Sequence, residues 1–136
     1  MADSALYPKW KEALLQNSAD SDLDGTGATG TYAALIDTGT YTYSAAHQYY
    51  SSLAGVIGTD VELGTKTYAD GYFDAADSTW TGVSGASVEA IVIYRKNAGA
   101  NTTWRLVAYI DGASISVTPN GGNIVAQWNA SGIFKL

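Results

Sequence analysis

Cysteine is absent from this chain of 136 residues, proline occurs twice, and histidine and methionine occur once each. Without cysteine there is no disulfide, and no thiolate is available as a nucleophile or metal ligand. That absence fits a reducing compartment or a particle assembled in cytoplasm. A single histidine restricts any metal site to carboxylates plus one imidazole, and any Ser-His-Asp triad would have to use His47. Long apolar runs are missing too, so no membrane partner is expected. The start, Met1-Ala2-Asp3-Ser4-Ala5-Leu6, has neither the basic residues nor the apolar stretch of a secretory leader. Bases are few, seven against thirteen acids, for a net charge of -6. That field repels phosphate backbones, and no Lys/Arg stripe offsets it, so no nucleic-acid partner is expected.

What the chain does have is rings and turns. Four Trp and ten Tyr stand beside fifteen Gly. A domain of this size folds to about 6,800 Å² of surface and cannot bury every ring, so some Tyr and Trp are expected where the protein meets a partner. The candidates are Trp10, Tyr49, Tyr50 and Trp104. Trp10 belongs to a helix predicted from Pro8 to Gln16, with Pro at its first position and Leu6, Trp10, Ala13 and Leu14 as its apolar stripe. So short a helix must lean on the body or on a neighbouring subunit. Trp104 opens a strand after a long loop, a rim position. Trp128 instead alternates with Ile124 and Ala126 and is assigned to the core.

Strand signals dominate the second half. Val88–Lys96 and Trp104–Asp111 flank a turn-rich segment, and Asn123–Trp128 and Ile133–Leu136 follow, reading as consecutive antiparallel strands in a meander. Upstream, Thr31–Asp37, Thr40–Tyr43, Asp60–Leu63 and Ser78–Trp80 read as extended, and Asp70-Gly71 turns a hairpin between Lys66–Ala69 and Tyr72–Ala75. Ser44 is placed to cap a second short helix through Ala46, Tyr49, Tyr50 and Leu53, stopped by Gly55. The expected fold is all-β: a two-sheet antiparallel β-sandwich, Ig-like or jelly-roll-like, with one or two short helices. It forms one domain over residues 1–136, with residues 1–30 as an N-terminal helix and Gly-rich loop arm.

Motifs for chemistry are weak. Gly25-Thr26-Gly27-Ala28-Thr29-Gly30 matches GxGxxG, but an acidic loop precedes it and a strand follows, whereas dinucleotide binding needs strand before and helix after. It reads as a flexible loop. Asp20-Ser21-Asp22-Leu23-Asp24-Gly25 opens like an EF-hand loop, yet position 31, where the closing Glu belongs, is Thr31. A solvated turn and an irregular calcium site both remain open. His47 reads as a structural residue, and Asp74 and Asp77 as exposed turn acids. Asn101-Thr102-Thr103 and Asn129-Ala130-Ser131 match the glycosylation sequon by chance. No catalytic residues, cofactor or metal are assigned, and an enzyme is not expected.

Several stretches together carry a resemblance. They are Ala5-Leu6-Tyr7, Ala34–Asp37 followed by Tyr41–Tyr49, Leu63–Thr67, Asp70–Asp77, Glu89–Tyr94, Arg105–Asp111, Val117–Gly122 and Trp128–Leu136. In this order they resemble a family of small tailed-bacteriophage virion proteins, some of them head decoration (cement) proteins. The resemblance implies a virion structural protein, made in the host cytoplasm and placed on the outer capsid surface. It would bind across major capsid protein subunits and self-associate as a trimer or dimer. A neck or tail position is the alternative within the virion. From a different class, an acidic sandwich with exposed Trp/Tyr platforms also fits a carbohydrate-binding module.

Overall fold

The computed structural model describes residues 5–111 and 115–136, so the first four residues of the expected N-terminal arm lie outside the described residues. In chain order the elements begin with β1 (Ala5–Leu6), α1 (Pro8–Leu15), β2 (Thr31–Ile36), β3 (Val56–Glu62), β4 (Thr67–Ala69) and β5 (Tyr72–Asp74). They continue with β6 (Ser78–Trp80), β7 (Ala90–Arg95), β8 (Arg105–Asp111), β9 (Ile124–Ala126) and β10 (Phe134–Lys135). The fold is all-β with one α-helix among the described residues.

β7 has every residue buried, as a continuous apolar run requires when both faces are covered. It is the middle strand of a five-stranded antiparallel sheet ordered β1-β8-β7-β2-β3. Two smaller antiparallel sheets accompany it, β10-β5-β4 and β6-β9. Register assigns the faces of the large sheet. Tyr32, Ala34 and Ile36 pair with Tyr94, Val92 and Ala90, so these six side chains share one face. Leu35 and Ile91 lie on the other and, with Ile110, meet Trp80 and Trp128 across a cleft.

Local chemistry explains the elements that the sequence foretold. α1 starts on Pro8, is braced by Lys9 and Glu12 at 3.0 Å, and buries Trp10 and Ala13. Its end is a Schellman motif. Asn17 adopts φ 51°, while the amides of Asn17 and Ser18 donate to the carbonyls of Leu14 and Ala13. The β4–β5 hairpin turns on Asp70 (φ 54°) and Gly71 (φ 80°), the paired left-handed residues of a type I′ turn.

Three expectations are corrected. First, no second α-helix forms from Ser44. Only a 3-10 turn at Tyr50–Ser52 appears, and the Ser44 hydroxyl accepts from the Ala46 amide. The backbone there is drawn into the edge of β8 instead: Leu106 donates to the Gln48 carbonyl and Tyr50 to that of Trp104. Second, Thr40–Tyr43 is not a strand, since Thr40 and Tyr41 both donate to the Asp37 carbonyl in a turn. Third, the C-terminal half is not a meander. β7 and β8 are neighbours, but β9 pairs with β6 and β10 with β5. The alternation along β9 holds nonetheless. Ile124, Ala126 and Trp128 are half-buried while Val125, Gln127 and Asn129 are exposed.

Candidate functional site

The large sheet carries an aromatic ledge on the face of Tyr32 and Tyr94. Their rings stack at 5.9 Å, and Trp104, just before β8, stacks on Tyr94 at 5.9 Å with planes 8° apart. Tyr50 meets both edge-on, 4.6 Å from Tyr94 and 5.3 Å from Trp104. The Lys96 ammonium lies 4.9 Å from the ring centres of Tyr32 and of Trp104, a double cation–π contact. Beneath the ledge is Asp60 of β3, whose Oδ2 accepts from the Tyr94 hydroxyl at 2.6 Å and the Tyr50 hydroxyl at 2.9 Å. Its other oxygen is buried with no partner among the described residues.

Burial pushes the Asp60 carboxyl above the usual carboxylate range, and the two phenols and the Lys96 charge pull it back only in part. Burial and the Asp60 carboxylate likewise hold the phenols of Tyr94 and Tyr50 well above their ordinary value. The two hydrogen bonds to Asp60 tie the Tyr94 and Tyr50 hydroxyls to one carboxylate oxygen beneath the ledge.

Three of the four interface candidates belong here. Tyr50 and Trp104 are in the ledge, both half-buried. Trp104 is pinned by its indole N–H to the Gly99 carbonyl at 3.0 Å. Tyr49 is next door and pairs with Arg105, whose guanidinium lies 5.8 Å from the Tyr49 ring centre. Trp10 is a correction. It is only 2% exposed, with its indole N–H donating to the Ser21 carbonyl and its ring edge-on to Phe134, so it is core and not a surface anchor. The apolar stripe of α1 faces the body of its own chain.

The acidic loop keeps Asp22 and Asp24 exposed to solvent but is anchored from beneath. Arg95, buried in β7, sends its guanidinium to Asp20 at 3.2 Å and to Asp22 at 3.0 Å, and its Nε–H to the Asp22 carbonyl. A fixed positive charge thus stands among the carboxylates that calcium would need. No group of three or more His, Asp or Glu able to hold a metal ion occurs among the described residues. Although burial opposes it, hydrogen bonding with Asp24 and the Arg95 charge hold the Asp22 carboxyl below the usual range. The loop onward to residue 30 is docked, not a free arm. Lys66 donates to the Gly25 carbonyl, Tyr32 to that of Gly27, and the Gly27 amide to Glu62. A 3-10 turn at Gly27–Thr29 leads straight into β2, so GxGxxG heads no helix.

The remaining chemical candidates are tied down as well. His47 Nδ1 shares a 2.7 Å hydrogen bond with the Tyr41 hydroxyl, which lies 2.8 Å from that of the buried Tyr7. Asp74 accepts from the Ala75 amide and Asp77 from the Trp128 amide, so each carboxylate anchors backbone.

A second surface was not foreseen. Between α1, the acidic loop and the β4–β5 hairpin runs an apolar groove of about 400 Å³, floored by Trp10 and Phe73. Tyr68 (54% exposed), Tyr72 and Leu136 (63% exposed) line it, three of the five exposed large apolar side chains among the described residues. No local sequence signal marks it, because the groove is assembled from four distant segments. No described helix is long and apolar enough to cross a membrane. Neither a protein-family model nor a curated protein matches the chain.

Proposed function

We propose that this chain is a non-catalytic structural protein of a tailed-bacteriophage virion, in its most specific form a head decoration protein that clamps adjacent major capsid subunits from outside. Its architecture is taken as a sandwich, the large sheet covered on one face by the two small ones. The observation that carries the reading is the gathering of Tyr68, Tyr72 and Leu136, three of the five exposed large apolar side chains among the described residues, at one groove of an acidic protein. The sequence resemblance supplies the viral context. Each copy buries a modest patch, and self-association lets several weak contacts act together. Binding only the assembled shell stabilises it by linkage, since separated subunits gain nothing. The negative charge suits the outer surface better than a position against packaged DNA.

The test is reconstitution. Heads lacking the protein are expected to rupture at lower temperature than complete heads, and added protein to restore them. Leu136→Asp, at a side chain 63% exposed, is expected to weaken binding at least tenfold while leaving the melting temperature of the free protein nearly unchanged. Heads whose heat resistance does not depend on the protein would defeat the cementing role. Copy counting in purified virions separates a shell lattice from a single neck or tail ring.

A further inference from the structure

We propose that the groove beside α1 receives the Leu15 side chain of a second copy of this chain, reciprocally, in a two-fold dimer. The inference rests on the reading of this groove as an interface and assigns it to self-association.

Two side chains on α1 carry the argument. Leu15 is 88% exposed, the most exposed large apolar side chain among the described residues. Lys11 is exposed too and stands one helical turn before it, so the two share an outward face. The other six bases each hold a partner: an ion pair at Lys9 and Arg95, a carbonyl at Lys66 and Arg105, an aromatic ring at Lys96 and Lys135. Lys11 alone has no ion pair, side-chain hydrogen bond or ring contact among the described residues.

The groove offers the complement of that face. Leu14, the chain neighbour of Leu15, is part of its lining, so knob and socket belong to one continuous patch. Tyr68, Tyr72 and Leu136 give a leucine apolar walls. Asp24 also lines the groove, is exposed, and makes no salt bridge among the described residues. A patch with knob and socket side by side is self-complementary, which an isologous two-fold contact requires. Two copies of net charge -6 repel except where a free base of one meets a free acid of the other. Lys11 against Asp24, made twice across the axis, is that contact.

Sedimentation equilibrium of the full chain tests this. Wild-type protein is expected to pass from monomer to dimer with rising concentration. Leu15→Asp, at a side chain nearly free of its own chain, should weaken the dimer at least tenfold with the fold retained. Lys11→Glu and Asp24→Lys each set like charges in contact and should weaken it severalfold. An equimolar mixture of these two variants should recover wild-type affinity, because both contacts between unlike chains are then attractive. A wild-type chain that stays monomeric up to about 1 mM, or forms a trimer, overturns the proposal. So does a dimer indifferent to Leu15→Asp, or a mixture of the folded charge variants no tighter than its components. If Asp24→Lys misfolds, Leu15→Asp decides. The assay needs no virion: a monomeric chain on which heads still depend sinks this inference alone, and a dimer to which heads are indifferent sinks the virion reading alone.

Discussion

Asp60 and Asp22 are carboxylates of opposite electrostatic sign in their effect on stability. Burial raises the folded-state value of Asp60 above the unfolded 3.8, so the folded chain holds the extra proton between the two values. Its contribution is most favourable in acid and worsens as pH rises through the raised value. Asp60→Asn keeps an acceptor for both phenols and removes the buried charge. The variant is expected to be at least as stable at neutral pH and to lose this slope in urea unfolding at stepped pH. A loss above about 1 kcal/mol would mean that the charge itself is needed. Asp22 behaves in reverse. Its folded value is lowered, so its stabilisation is full above the unfolded value and disappears as pH falls through the lowered one. Asp22 is about half exposed, so Asp22→Asn should cost less than about 1 kcal/mol. Arg95 is buried and makes the loop's hydrogen bonds, so Arg95→Met should cost about 2 kcal/mol. Neither Asp60 nor Arg95 was legible as a site in the sequence. A charge inside a strand pattern is visible there, but the partner that holds it comes from a segment far away in the chain.

At the scale of elements, legibility follows locality. α1, β7, β8 and the Asp70-Gly71 hairpin are written in neighbouring residues: a proline start, an apolar run, a left-handed turn. The segment from Ser44 to Leu53 has a helical pattern too, but the exposed edge of β8 offers its backbone better partners. The partners of β9 and β10 have no local signature at all, which is why the meander was the natural but mistaken reading. Two glycines test the distinction between conformation and space. A Cβ on Gly71 would meet nothing closer than 3.6 Å, so only its φ of 80° resists substitution. Gly71→Ala is expected to cost about 1–2 kcal/mol. Gly64, with open space and no positive φ, should accept Ala neutrally or with a gain of about 0.5 kcal/mol. Thermal or urea unfolding of the two variants side by side checks the pair.

For the whole molecule, the strand and turn patterns foresaw an all-β body, and the composition foresaw rings left at the surface. It could not say which rings, because a ring's exposure depends on what the rest of the chain lays over it. Trp10 went inside when the acidic loop closed over it, and Tyr68 stayed outside on an edge strand. The same loop yields a prediction for the intact protein. With the Arg95 guanidinium among the Asp20 and Asp22 carboxylates, millimolar calcium should leave the melting temperature unchanged, as read by calorimetry with and without chelator. A clear upward shift would mean that the cation displaces the guanidinium.

The crossed pairing of β9 with β6 and of β10 with β5 also dictates a timetable on the ribosome. Neither small sheet is complete until β9 and β10 have left the exit tunnel, so Phe73 and Trp80 emerge ahead of the strands that shelter them. Chaperone demand and aggregation during expression should therefore peak late in translation, and clipping only a few residues after Ala126 should harm yield far more than their small share of the chain implies.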